Sequence, residues 1–209
     1  MSLLALLLTL AFGGLVGLIS GLLGIGGGVI IVPFLYLLFD APAWSGIEIV
    51  PGTRAVVAHA TSLFIIIPVA LSGLVTYQKA QLVFWRAVIP MGIGAAVAAV
   101  LGARIAIGLP SELLQLLFGL LLVSIAARML VGRGPVSGLG EAPPQRLHPV
   151  LTLGSGAAVG FLSAFLGVGG GIVAIPLLIY LVRLDLRRVA AASIGVIAFA
   201  APAGILTYA

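Results

Sequence analysis

The sequence contains no cysteine and very few charged residues. Without cysteine the chain can form no disulfide, no thiolate metal site and no cysteine nucleophile. Charged residues make up 7% of its 209 residues, whereas a typical soluble domain has about 25%. Apolar residues account for 62%, and the mean hydropathy is +1.36. Because so few charges cannot cover a surface that faces water, we expect an all-α integral membrane protein, a polytopic helical bundle within the lipid bilayer.

Acidic residues are scarcer than basic ones, and none is predicted to lie in the middle of a membrane span. The five are Asp40, Glu48, Glu112, Glu141 and Asp185. All fall in loops or at the ends of apolar runs, so the sequence offers no carboxylate site for a metal ion and no carboxylate proton relay within the membrane. We therefore expect neither a metal nor another cofactor.

Basic residues give the chain a net charge of +5. They lie at the ends of apolar runs rather than in one patch, which is how loop charges orient a membrane protein. The sequence therefore predicts no binding of nucleic acid.

Several apolar runs approach or exceed the roughly 20 residues that a membrane-spanning helix needs. They occupy residues 3–39, 55–77, 82–107, 113–130 and 150–181, and a shorter run follows at 189–208. The stretch 132–148, rich in glycine and proline, is predicted to be an exposed linker. We therefore divide the chain into a first transmembrane repeat (1–131), this linker, and a second transmembrane repeat (149–209).

The two longest runs exceed one ordinary span, and the same glycine pattern interrupts both. The first reads GLISGLLGIGGG from Gly17, and the second reads GFLSAFLGVGGG from Gly160. Equivalent residues of the two patterns lie 143 positions apart, and further along the chain Ser62 matches Ser193 at an offset of 131. The chain thus contains an internal repeat. Because the first repeat continues through two more spans, the symmetry predicts that about fifty residues are missing after Ala209.

The distribution of basic residues predicts how the repeats are oriented. If each glycine-broken run returns to the side from which it entered, eight basic residues share one side and only Arg54 and Arg104 lie on the other. If each run crosses the membrane, the count is five against five. The positive-inside rule favours the first arrangement, with re-entrant helices, two inverted repeats and a cytoplasmic linker. Inverted repeats with broken helices are typical of secondary transporters.

The glycine patterns predict a site for an anion. Three successive glycines weaken a helix, since each costs about 1 kcal/mol relative to alanine, and a new helix can begin at Gly28 or Gly171. The free N–H groups and positive dipole at such a helix end attract anions, and the two ends are expected to converge near the midplane. The predicted substrate-binding residues are Ser20, Gly24, Gly26, Gly27, Gly28, Ser163, Gly167, Gly169, Gly170 and Gly171.

The alternative for any of these glycines is that a small residue only lets two helices pack closely. We prefer that interpretation for four glycines outside the doubled pattern. They are Gly13, Gly14, Gly92 and Gly94.

Three further polar residues fall within predicted helices and are candidates for the transport pathway: His59, Ser62 and Ser193. A serine that bonds to its own helix is the alternative for the Ser62–Ser193 pair. His59 lies one turn before Ser62 and can carry a proton or contact an anion. Ala190 replaces it in the second repeat, so it is not part of a symmetric site.

Two other functions share some of these features. Ser20 and His59 are the residue types of an intramembrane serine hydrolase, but Ser163 repeats Ser20 without a second histidine, and no buried acid is available to orient His59. We therefore do not expect an enzyme. An anion channel of the same architecture remains an alternative to a carrier, and saturable counterflow would distinguish the carrier.

The doubled motif from Gly17 to Pro33 and from Gly160 to Pro176 resembles the TauE/SafE family of sulfite and sulfonate exporters. The resemblance covers essentially the whole chain. It implies a permease of the bacterial inner membrane for small sulfur-containing anions such as sulfite, thiosulfate and sulfonates. The oligomeric state stays open, a homo-oligomer included.

Overall fold

The structure, a computed structural model, describes residues 3–23, 26–40, 49–50, 52–131, 149–179 and 186–209. Within these ranges it contains eight helices and no strand. The helices are α1 (Leu3–Leu23), α2 (Gly28–Asp40), α3 (Arg54–Lys79), α4 (Trp85–Ile107), α5 (Ser111–Val131), α6 (Pro149–Leu166), α7 (Gly171–Leu177) and α8 (Leu186–Tyr208). Gly24 and the predicted linker 132–148 lie outside the described residues.

Four of these helices, α3, α4, α6 and α8, are long and apolar enough to cross a membrane. Their outer faces expose large apolar side chains: Phe64 is 66% exposed, Val97 65% and Val150 70%. Contiguous apolar surface of this kind is suited to lipid and not to water. The prediction of an all-α integral membrane protein is confirmed.

Helix α4 packs one face against α6 and α8. Four glycines bring α4 and α6 so close together that a Cβ on any of them would meet a backbone oxygen of the other helix. The pairs are Gly94 with Leu153, Gly102 with Phe161, Gly156 with Met91, and Gly160 with Ala95. Small residues at four-residue spacing allow this approach, as in other membrane helix pairs.

The packing interpretation is confirmed for Gly92 and Gly94. A Cβ at Gly92 would lie 2.6 Å from Cδ2 of Phe199 on α8, and Gly94 contacts the backbone of α6. Gly13 and Gly14 on α1 differ, because nothing in the described part of the chain lies within 4 Å of where their Cβ atoms would be. For these two glycines the structure shows no packing partner.

Both overlong runs break where the glycine pattern predicts. Helix α1 ends at Leu23 and α2 begins at Gly28, whereas α6 ends at Leu166 and α7 begins at Gly171. We call Gly26 and Gly27 the first glycine break, and residues 167–170 the second glycine break.

Backbone conformation explains why these positions are glycine. The φ angles are +84° at Gly26 and +79° at Gly27, and +78° and +75° at the equivalent Gly169 and Gly170. A residue with a Cβ is strained in this region by about 1–2 kcal/mol, whereas glycine adopts it freely. The repeat seen in the sequence is therefore also a repeat of backbone conformation.

Candidate functional site

The two glycine breaks lie against each other. A Cβ placed at Gly26 would be 3.7 Å from the carbonyl oxygen of Gly169. A Cβ at Gly28, the first residue of α2, would meet the carbonyl oxygens of Val168 and Gly167, the latter at 2.7 Å. The structure thus brings together the two motifs that the sequence places 143 residues apart. Gly24, the remaining glycine of the predicted site, lies outside the described residues.

One serine accompanies each break in the same geometry. A Cβ at Gly27 would lie 3.3 Å from Ser20 Oγ, and a Cβ at Gly170 would lie 3.3 Å from Ser163 Oγ. Ser20 is 3% exposed and Ser163 is 1% exposed. Neither hydroxyl has a hydrogen-bond partner among the described residues. A buried polar group without a partner costs about 1–3 kcal/mol, so both serines are donors that a bound ligand can satisfy.

The start of α2 adds backbone donors beside Ser20. The first N–H groups bonded within this helix belong to Ile30 and Ile31, and both donate to the carbonyl oxygen of Gly27 at 3.0 Å. The N–H groups of Gly28 and Val29 precede them and have no acceptor within the helix, as at every helix N-terminus. The positive end of the helix dipole lies at the same place. Helix α7 begins in the same way, with Gly170 as first acceptor, but it is only seven residues long.

Ser62 attaches α3 to the second glycine break. Its Oγ donates to the carbonyl oxygen of Gly167 at 2.8 Å, and the residue is fully buried. The alternative that Ser62 bonds to its own helix is therefore wrong. Ser193, its equivalent on α8, is also fully buried.

His59 lies beside the same break. The residue is fully buried, and a Cβ at Gly167 would approach His59 Cα to 2.6 Å. Its Nε2 atom is 2.6 Å from the hydroxyl of Tyr36 on α2, and the tautomer of the histidine decides which of the two donates. His59 is therefore paired with a tyrosine and not with Ser20, which leaves the serine hydrolase without a base for its nucleophile.

Tyr36 is a candidate that the sequence analysis did not identify. It lies on α2, where it also places its ring against Phe118 of α5, with ring centroids 6.0 Å apart. The signal was present in the sequence, because Tyr36 is the only polar side chain between Gly28 and Phe39. A lone hydroxyl in an apolar half-helix needs a partner, and His59 provides one.

A cavity of about 470 Å³ lies between α1, α2 and α3. Its walls are mostly apolar, and Ser20, Gly26, Gly27 and Thr61 contribute to its lining. The first glycine break is therefore open on one side to this cavity.

Known proteins with similar sequences are described as probable membrane transporters. The chain is 31% identical over 207 residues to a probable membrane transporter protein of Methanocaldococcus jannaschii. The aligned region is 99% of this chain and 73% of that protein. A probable membrane transporter protein of Xylella fastidiosa is 30% identical over 190 residues, 88% of this chain and 66% of its own length. One from Bacillus subtilis is 24% identical over 210 residues, 94% of this chain and 75% of its own length. No solved structure matches the chain.

A family model supports the same assignment over almost the full length. The model described as sulfite exporter TauE/SafE matches residues 9–209. The matched region contains both glycine breaks and both buried serines. The match agrees with the expectation of a transporter and not an enzyme, and the chain belongs to the sulfite exporter TauE/SafE family of membrane transporters.

Proposed function

We propose that this transporter carries small sulfur-containing anions, such as sulfite, thiosulfate or sulfonates, and binds them where the two glycine breaks meet. The observation that carries the proposal is the pair of buried hydroxyls, Ser20 and Ser163, each beside a break and each without a partner in the described part of the chain. The family description supports the choice of sulfur oxyanions. Such anions accept several hydrogen bonds at once, which matches a site built from donors.

The donors in this proposal are uncharged. Backbone N–H groups at the start of α2 and the hydroxyl of Ser20 bind one side of the anion, and Ser163 with the second break binds the other. Transport requires a site that binds strongly enough to fill and weakly enough to empty. Neutral donors at a helix N-terminus meet both requirements better than a buried arginine, whose ion pair with the substrate would be slow to release.

The proposal extends to topology and direction. The glycine-broken segments are re-entrant, the two repeats are inverted, and the linker 132–148 is cytoplasmic in a bacterial inner membrane. An inside-negative potential then favours export of the anion by about 2.3 kcal/mol per charge for each 100 mV. The positive-inside distribution of basic residues is the support for this orientation.

The test is uptake of radiolabelled sulfite, thiosulfate and a sulfonate into proteoliposomes. Ser20→Ala and Ser163→Ala are each expected to raise the KM for the transported anion about ten- to a hundredfold, because each removes one hydrogen bond to a charged ligand, about 1.5–3 kcal/mol. Ser72→Ala is the control, since Ser72 is exposed and bonds to Val69 of its own helix. Saturable uptake that both site variants leave unchanged would refute the site. If the folded protein transports none of the three anions, the proposed substrate class is refuted.

A further inference from the structure

Helix α4 occupies a groove that α6 and α8 form in the second repeat. On α6, Gly156 and Gly160 contact the backbone of α4 directly. On α8, a Cβ at Gly195 would lie 2.7 Å from Val88 Cγ1 of α4. The groove is thus lined by small residues and filled by a helix rich in alanine and glycine.

The internal repeat places an equivalent groove between α1 and α3. On α1, Gly13 and Gly17 stand 143 residues before Gly156 and Gly160. On α3, the equivalent residues lie 131 positions before those of α8. These pairs are Thr61 with Ala192, Ile65 with Val196, and Val69 with Ala200.

The two grooves differ in what covers them. Ala192, Val196 and Ala200 are at most 1% exposed under α4, whereas Ile65 is 38% exposed. Nothing in the described ranges lies within 4 Å of a Cβ at Gly13 or Gly17. The cavity of about 470 Å³ described above is lined by these two glycines together with Thr61, Ile65 and Val69. Among the described residues, the groove of the first repeat is therefore empty at the positions that α4 fills in the second.

We propose that the groove between α1 and α3 binds a membrane-spanning helix rich in alanine and glycine, the counterpart of α4 that follows α8 in the full-length protein. The first repeat shows the chain order, because α4 begins at Trp85 directly after α3 ends at Lys79. The relatives have room for such a helix, since the chain spans 73% of the Methanocaldococcus jannaschii protein and 66% of the Xylella fastidiosa protein. The occupant belongs to the same polypeptide.

The occupied groove has a consequence for transport. Ser20 lines the cavity, so the docked helix forms the remaining wall beside that hydroxyl and separates it from lipid. Ser163 already has such surroundings, because it lies on α6, the helix that packs against α4, and is 1% exposed. With the helix docked, both halves of the site are enclosed by protein. The inference itself does not depend on which anion is carried.

The first experiment compares leucine substitutions on α1 in the full-length gene product. Gly17→Leu is expected to lower the melting temperature in detergent as much as Gly160→Leu does, because both side chains would collide with a packed helix. Gly14→Leu is the control on the same helix, since Gly14 faces open space and does not line the cavity. If the Gly17→Leu protein has the same melting temperature as the Gly14→Leu protein, residue 17 faces lipid and the proposal is overturned.

The second experiment identifies the occupant without disturbing the fold. A photo-crosslinking amino acid replaces Ile65, which lines the groove, or Val75, an exposed residue of the same helix outside it, whose equivalent on α8, Leu206, is 78% exposed. We expect the Ile65 probe to attach within the same polypeptide, to the segment that follows α8, and the Val75 probe to attach to lipid alone. Attachment at Ile65 to a second copy of the chain, seen as a product of twice the mass, would overturn the proposal, as would attachment to lipid alone.

Discussion

Replacing Ser62 with alanine tests the contact between α3 and the second glycine break. The substitution removes the 2.8 Å hydrogen bond to the carbonyl oxygen of Gly167, at a fully buried position. A buried acceptor that loses its donor costs about 1–3 kcal/mol in soluble proteins, whereas hydrogen bonds between membrane helices average about 0.6 kcal/mol. Gly167 lies outside regular helix with a φ of +67°, so its carbonyl depends more on this donor than a helical carbonyl would. We expect a loss of about 1–2 kcal/mol.

The assay is equilibrium unfolding in mixed micelles, followed by uptake measurements on the same preparations. Ser72→Ala is again the matched control, because its hydroxyl is exposed and bonds within its own helix, and it should change the free energy of unfolding by less than about 0.5 kcal/mol. A displaced break should also weaken anion binding by several-fold. If Ser62→Ala is as stable as Ser72→Ala and transports normally, the contact does not position the break.

Two further substitutions test neighbouring features. Gly170→Ala should destabilise the protein by about 2 kcal/mol or more, because the positive φ becomes strained and the new Cβ lies 2.9 Å from Val159 Cγ1. The control Gly119→Ala, which no described residue approaches within 4 Å, should be neutral or stabilising by up to about 1 kcal/mol. Equal stabilities of the two variants in thermal melts would contradict this reasoning. Tyr36→Phe and His59→Leu should show a coupling of about 1 kcal/mol in a double-mutant cycle of unfolding free energies, because the two side chains share the 2.6 Å contact. If the effects of the two substitutions simply add, the contact contributes nothing to stability.

The membrane class, the span positions and the helix breaks followed from the sequence because each depends on local properties. The low number of charged residues determines the membrane class, because a surface that faces water needs more of them. The apolar run predicted at 55–77 is the helix Arg54–Lys79. The breaks were predicted at Gly28 and Gly171 because successive glycines weaken a helix wherever it is packed. Span ends differ by a few residues because loop geometry and packing, not hydropathy, set the last turn.

Partner choice was harder to predict. The sequence allows Ser62 to bond either to its own helix or in the pathway, and its actual acceptor, the carbonyl oxygen of Gly167, lies 105 residues away. The sequence predicts that His59 can carry a proton or contact an anion. Its pairing with Tyr36 depends on how α2 packs against α3. Nothing in the sequence distinguishes Gly94, which touches another helix, from Gly13, which no described residue approaches within 4 Å.

The sequence alone thus determined that this is a helical membrane protein, built from a repeat whose two glycine motifs each restart a helix, because composition and backbone freedom act within a few residues. Only the tertiary structure decided that the two breaks lie against each other and that α4 fills one of two equivalent grooves. It also showed that Ser20 and Ser163 are buried without partners among the residues that the structure describes. These features arise from contacts between residues far apart in the sequence, such as Gly94 with Leu153 and Gly26 with Gly169, and such contacts depend on how the helices pack in three dimensions.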